Sequence, residues 1–173
     1  MTKLLSLTVF MLFAVTTMFA QEAEKKKPAS PHDTVKRNHI TITYGRPYKK
    51  GRLIFGDGKT SLETYGKVWR TGANEATEIT ADKDCTFGGK QLKAGTYTLF
   101  TIPEEKEWTV ILNSQLKQWG AYGYEKVKDK DVLQTKVPAK HLENPVEQLT
   151  ISINSEGVQI AWDQSGIFIP VKF

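Results

Sequence analysis

Thr96-Tyr97-Thr98-Leu99-Phe100-Thr101-Ile102-Pro103, the acidic turn Glu104 to Glu107, and then Trp108-Thr109-Val110-Ile111-Leu112-Asn113 form the stretch whose reading decides the fold. Both runs are rich in β-branched and aromatic residues, which fit a pleated, half-buried surface. The first opens after Lys93-Ala94-Gly95 and closes on Pro103, which has no N–H for a ladder. Two such runs around a short polar turn read as a β-hairpin.

Toward the N-terminus, Cys85-Thr86-Phe87 and Lys90-Gln91-Leu92 flank Gly88-Gly89. Both glycines can take positive φ, which makes this a second hairpin signal. Ile40, Ile42 and Tyr44 alternate with Thr41 and Thr43, the period of a strand with one buried face, and Ala76 to Thr80 is a shorter candidate. Toward the C-terminus, Asp131 to Val137 stops at Pro138, and Val146 to Ile153 lies between Pro145 and Gly157. Val158 to Trp162 and Ile167 to Phe173 close the chain. Helical spacing is confined to two corners, Glu63 to Lys67 and Gln115 to Trp119. Roughly eight or nine short antiparallel strands, with turn signals at regular spacing, predict an all-β fold: a single β-sandwich or jelly-roll-like domain.

The N-terminus follows different rules. Lys3 precedes an apolar run from Leu4 to Phe19, broken by Ser6, Thr8, Thr16 and Thr17 and followed by Ala20. This is the charged, apolar and small-residue order of a secretory signal peptide, with cleavage expected after Ala20. The run is too short and too interrupted for a bilayer span. Residues 21–32, marked by three lysines, Pro28 and Pro31, read as a flexible polar leader, and residues 33–173 as the domain. The single cysteine, Cys85, is far from the signal, so no lipid-anchor thiol follows the apolar run. The expected product is exported, periplasmic or extracellular, with no membrane span after cleavage. One cysteine forms no internal disulfide, so a hydrophobic core must supply the stability. Cys85 itself reads as a small buried hydrophobe.

The formal charge is +5, spread along the chain without a basic face or a nucleic-acid motif, so no nucleic-acid partner is expected. The distribution of arginine is more informative. Of 24 basic residues only four are arginine, and Arg37, Arg46, Arg52 and Arg70 all fall in one N-terminal stretch. Arg46, Arg52 and Arg70 lie in segments that do not alternate, close to glycines, Tyr48 and Trp69. An arginine fork grips a carboxylate or phosphate in a bidentate manner, so these three are candidate anion ligands, with Asn74 and Glu75 beside them. The competing role is internal pairing with Asp57, Glu63, Glu75 or Glu78 to staple irregular loops. Trp69, Trp119, Tyr122 and Tyr124 lie in or beside glycine-containing loops, either as stacking platforms or as lids on the core. Trp108 and Trp162 lie inside strand patterns and read as core.

Catalytic signals are sparse. No serine has a nucleophile-elbow context, and His32, His39 and His141 lack metal spacing. His32-Asp33 with Glu75 around a metal competes with a solvated leader histidine, and no cofactor or metal is expected. Two acids among Asp57, Glu63, Glu75 and Glu78 would suit glycosidase chemistry if they converge.

Six runs carry a family resemblance. Gly45-Arg46-Pro47 with Lys50-Gly51-Arg52-Leu53-Ile54-Phe55-Gly56, then Tyr65-Gly66-Lys67-Val68-Trp69-Arg70-Thr71-Gly72-Ala73-Asn74-Glu75-Ala76-Thr77, and the later Leu92 to Pro103, Glu107 to Asn113 and Gln118 to Tyr122 runs resemble an uncharacterised exported family, domain of unknown function 2911. The resemblance spans about Ser30 to the C-terminus. It implies an exported protein and carries no activity, cofactor or catalytic residue. The family usually has serine where this chain has Gly45.

Three functional readings follow. In the first, the chain is a non-catalytic binding or accessory module whose Arg46, Arg52, Arg70, Asn74 and Glu75 fix a small anionic or carbohydrate-like ligand. Trp69, Trp119 and Tyr122 then stack on that ligand. In the second, the domain binds a partner protein of the cell envelope and no small ligand. The third is a hydrolase with a carboxylate pair.

Overall fold

The computed structural model describes residues 30–173. The expected signal, 1–20, and the leader up to residue 29 lie outside the described residues. The chain is all-β. Its strands are β1 (His32–Arg37), β2 (Ile40–Gly45), β3 (Leu53–Gly56), β4 (Ser61–Thr64), β5 (Thr77–Ala81), β6 (Cys85–Phe87) and β7 (Lys90–Leu92), then β8 (Gly95–Ile102), β9 (Glu107–Asn113), β10 (Asp131–Ile153) and β11 (Gly157–Lys172). Nine of them form one antiparallel sheet in the order β1-β2-β5-β8-β9-β10-β11-β6-β7, and β3 with β4 forms a separate pair.

The hairpin on either side of Glu104 to Glu107 is β8 and β9, with Leu99 opposite Leu112 and Phe100 opposite Ile111. The Gly88-Gly89 hairpin is β6 and β7. The four C-terminal runs merge into two long strands. β10 pairs with β9 as far as Pro138 and with β11 from Ala139 onward, so this strand carries the chain from one layer to the other. Pro138 sits at that switch, and Pro145 lies inside the register shift between His141 and Val146. Prolines occupy places where the ladder is already broken, which is why they look like strand ends in sequence. The layers fold back on each other and the sandwich is pinned at its margins. Leu149 N–H donates to Pro47 O at 3.0 Å, and Thr135 Oγ1 donates to Gly88 O at 2.8 Å.

Three strands differ from the sequence expectation. β1 begins at His32, inside the expected leader, and Arg46 N–H donates to Pro31 O at 2.8 Å. Its mostly exposed polar residues leave no apolar alternation to read. β3 and β4 lie in a segment without alternation, and they pair in parallel, with Phe55 beside Glu63. The turn between them satisfies its own backbone: Asp57 Oδ1 accepts from Lys59 N–H at 3.0 Å and Ser61 Oγ from Gly58 N–H at 2.9 Å. The helical turns are two short 3-10 segments, Tyr124–Lys126 and Lys128–Lys130, rather than the two corners expected.

The layers meet on an aromatic core. Phe55 lies edge-on to Trp108 at 4.9 Å, to Trp69 at 5.4 Å and to Trp162 at 6.1 Å. Trp69 and Trp162 are stacked, with centroids 5.8 Å apart. Edge and offset pairs of this kind add about 0.5–1.5 kcal/mol each beyond the area they bury. Cys85 is buried, and burial followed by the charge of Asp84 pushes its thiol upward.

Candidate functional site

The site is built by the Trp69-Arg70-Thr71 step. Trp69 forms a one-residue bridge to Thr101 of β8, with N–H to O distances of 2.7 and 3.0 Å, and its indole Nε1 donates to Gly72 O at 3.2 Å. Thr71 then turns the chain at φ +55°, a left-handed conformation that costs a β-branched residue of the order of 1–3 kcal/mol. Its surroundings hold it there: Thr71 is fully buried, its hydroxyl meets Thr101 Oγ1 at 3.1 Å, and its carbonyl accepts from Thr77 Oγ1 at 2.8 Å. Trp69 thus faces the core, and the next residue, Arg70, lines a surface cavity.

Gly45 seats the same loop from the other side. A Cβ at this position would lie 2.1 Å from Ala73 O, a backbone atom. The backbone of β2 therefore approaches the Ala73 loop more closely than any side chain permits, and a serine here would have to push the loop away. Asn74 follows at φ +65°, a conformation asparagine tolerates well, and its Nδ2 donates to Ser30 O at 3.4 Å.

Arg70 lines a cavity of about 420 Å3 with Lys50, Arg52, Glu63, Tyr48 and Trp162. A neighbouring cavity of about 340 Å3 shares Leu62, Glu63 and Arg70 and extends past Val68 to Ala121 and Tyr122. Together they form one groove with Arg70 at its middle. Gly120, at φ +72°, shapes the far part: a Cβ there would lie 2.8 Å from the Tyr122 ring and 3.2 Å from Arg70 Nη1. The glycine thus allows the ring and the guanidinium to flank one spot.

The electrostatics of the groove are unbalanced in favour of cations, with Lys50, Arg52 and Arg70 around the single carboxylate of its lining, Glu63. Burial pushes the Glu63 carboxyl up to about 7, and the positive charge of Arg70 acts in the opposite direction. Arg52 is positioned by its own loop, donating from Nε to Lys49 O at 2.9 Å and from Nη2 to Tyr48 O at 2.5 Å. Two donors have no partner among the described residues: Arg70 Nε and Trp162 Nε1 are buried and make no hydrogen bond. A buried N–H left unpaired costs roughly 1–3 kcal/mol, and both belong to residues lining the larger cavity.

The structure divides the residues singled out in sequence. Arg52, Arg70 and Tyr122 share the groove. Arg46 does not join them. It staples two strands, β1 and β10, donating from Nε to Leu149 O at 3.0 Å, from Nη1 to Asp33 Oδ2 at 3.1 Å and from Nη2 to Thr150 Oγ1 at 3.2 Å. Its acid partner is Asp33, which is none of the four proposed from sequence. Trp69 is 2% exposed, so its ring belongs to the core and offers no open face. Tyr124 is likewise buried, against Phe100, and its hydroxyl donates to Asp131 Oδ2 at 2.6 Å. Trp119 is exposed, but its backbone bridges Glu75 and it lines neither part of the groove.

Glu75 lines a separate cavity of about 260 Å3 with Glu78, Lys117 and His32, and His32 Nε2 meets Glu75 Oε2 at 2.8 Å. Its own backbone N–H and then His32 hold the Glu75 carboxyl below its usual range. Among the described residues, no third histidine, cysteine or acid joins this pair in a metal-binding group. Asp57 and Glu78 cap backbone N–H groups of Lys59 and Lys117. The four acids therefore do not assemble a carboxylate pair in the groove.

Three lining residues escape sequence reasoning as ligand groups. Glu63 reads only as a partner for arginine or as half of a carboxylate pair, and Trp162 only as core. Lys50 is one lysine among twenty. The one signal that points to all three is their position around Arg70, which needs the folded chain.

A family model described as a protein of unknown function (DUF2911) matches residues 27–171. The chain belongs to this family. The match runs through every strand and both margins of the groove, so the Trp-Arg-Thr-Gly-Ala-Asn block, which builds the site here, lies inside the family domain. No curated protein and no solved structure matches the chain.

Proposed function

We propose that this protein is an exported, non-catalytic binding module that holds a small anionic ligand in the groove between Arg52, Arg70 and Tyr122. One observation carries this reading: the only two buried side-chain donors without a partner among the described residues, Arg70 Nε and Trp162 Nε1, both belong to residues of the cation-lined cavity. A ligand acceptor that reached those donors would relieve that cost. A cavity of about 420 Å3 is of the usual size for a small-molecule site. Export rests on the order of charged, apolar and small residues in positions 1–20.

The test is a thermal-shift titration of the purified protein with glucuronate, citrate and inorganic phosphate, with glucose as the neutral control. A ligand at 100 times its dissociation constant adds about 2.7 kcal/mol of stability. The expected result is a shift with at least one anion, weakened by added salt and lost in Arg70→Ala. A flat response to every anion would overturn the reading.

A further inference from the structure

The cations of the groove are bordered by exposed apolar side chains. Among the described residues seven large hydrophobics are exposed, and three of them, Tyr48, Leu62 and Tyr122, line the groove. Single exposed apolar residues are ordinary, but three on one concavity form a surface that an apolar group can cover. Tyr48 lies in the larger cavity, Tyr122 in its neighbour and Leu62 in both, so apolar surface borders both parts. At Gly120 the two chemistries meet: a Cβ there would lie 2.8 Å from the Tyr122 ring and 3.2 Å from Arg70 Nη1. The charge of the lining narrows the headgroup. Lys50, Arg52 and Arg70 bring three positive charges and Glu63 at most one negative, so the lining carries +2 or +3. Among the described residues none of these three cations forms an ion pair, whereas the adjacent Lys49 is bound to Asp163 at 2.6 Å. Coulomb attraction grows with the charge of the anion, and a phosphate monoester carries about −1.5 to −2 at neutral pH against a single charge for a carboxylate or a sulfate ester. Arginine forks also match phosphate oxygens two at a time.

Resting on the anion-binding reading above, we propose that the groove binds a phosphate monoester whose ester group is apolar. The phosphate lies among Lys50, Arg52 and Arg70, and the apolar group covers Leu62 and the Tyr122 ring. Each half of the ligand answers one half of the lining. A polar ester would leave Leu62 and Tyr122 in water, and a monoanion would leave more of the lining charge unbalanced. A free ester and the headgroup of a membrane lipid present this same chemistry.

Isothermal titration of the purified protein at pH 8 tests this with inorganic phosphate, hexyl phosphate and hexyl sulfate. Phosphate shares the headgroup of hexyl phosphate and has no tail, whereas hexyl sulfate shares the tail and carries one charge. We expect hexyl phosphate to bind about tenfold more tightly than phosphate, from the apolar area its tail buries, and several-fold more tightly than hexyl sulfate. The gain from the tail should shrink in Tyr122→Ala and in Leu62→Ser, both at exposed positions that leave the fold intact. Phosphate or hexyl sulfate binding as tightly as hexyl phosphate, or a tail gain that survives both substitutions, would refute the assignment and leave anion binding standing. If no anion binds, both readings fall. Co-flotation with phosphatidylcholine vesicles containing phosphatidic acid, itself a phosphate monoester with an apolar ester group, then separates the two sources. Capture that is lost in Arg70→Ala assigns a membrane lipid, and hexyl phosphate binding without capture assigns a free ester.

Discussion

Arg46 and Arg70 are the same residue type in the same non-alternating half of the chain, and the fold uses them in opposite ways. Around Arg46, Nε and both terminal nitrogens find acceptors on β1 and β10, and Tyr44 beside it accepts from Ile151 N–H at 2.9 Å. Around Arg70, Nε is buried without a partner among the described residues, and the carboxyl that shares its cavity, Glu63, is held toward its neutral form by burial. The first region has its polar groups satisfied by the chain itself. The second leaves donors without a partner, among the described residues, on residues that line a cavity, and an unsatisfied group in a well-packed molecule calls for an explanation. The seam stabilises the fold, whereas the groove carries a cost.

Substituting both arginines gives the largest expected effect. Arg46→Ala removes three hydrogen bonds and leaves the half-buried Asp33 carboxylate without its cation, so unfolding free energy should drop by about 2–3 kcal/mol in urea denaturation. Arg70→Ala should leave it unchanged or raise it, because no hydrogen bond or ion pair of its side chain is lost among the described residues and the cost of its buried, unpaired Nε is removed. Equal losses for both would break the comparison and make Arg70 a second staple.

The legibility of the two regions differs for the same reason. β2 and β5 advertise themselves through alternation, because one face is more buried than the other, and β8 and β9, buried at nearly every position, through continuous runs rich in β-branched and aromatic residues. β1 and β4 do not, since their mostly polar residues are at least partly exposed, and β3 is an apolar run of only four residues, too short to show a period. The Trp-Arg-Thr-Gly-Ala-Asn block is conspicuous in sequence, yet no local rule tells that Trp69 points inward and Arg70 outward. That division depends on the left-handed turn at Thr71 and on the close approach of Gly45 to Ala73 O, both of which involve residues far apart in the chain. Arg52, Arg70 and Tyr122 could be picked by chemistry. Glu63 and Trp162 could not, because their roles come from what surrounds them.

Glu63 provides the next test, and its sign is fixed by the direction of its shift. In the unfolded chain the carboxyl ionises near its ordinary 4.5, and in the folded protein at about 7. Between those values the folded state holds a proton that the unfolded state has released, so stability falls as pH rises from about 4.5 to about 7 and then levels off. Glu63→Gln removes that titration while keeping the shape. The variant should match the parent at pH 4 and exceed it above pH 7 by an amount on the order of 2 kcal/mol, read from urea midpoints at both ends. A gap that does not grow with pH would mean that Glu63 is ionised throughout and that the groove is less buried than its lining implies.

The smallest expected effect draws the boundary of the groove. Trp119 and Tyr122 lie three residues apart in one glycine-rich loop, both are largely exposed, and sequence alone gives them the same stacking role. They differ in what lies next to them. Tyr122 flanks Arg70 across Gly120, whereas the backbone of Trp119 is tied to Glu75 on the side of the separate cavity. An exposed ring that makes no groove contact contributes little to either stability or binding. Trp119→Ala should therefore leave unfolding free energy within about 0.5 kcal/mol of the parent, and anion affinity in the groove unchanged. If it weakens binding as much as Tyr122→Ala does, the ligand reaches over Gly120 onto the far side of the loop. The unspent donors at Arg70 would then lie at one end of a longer site rather than at its middle.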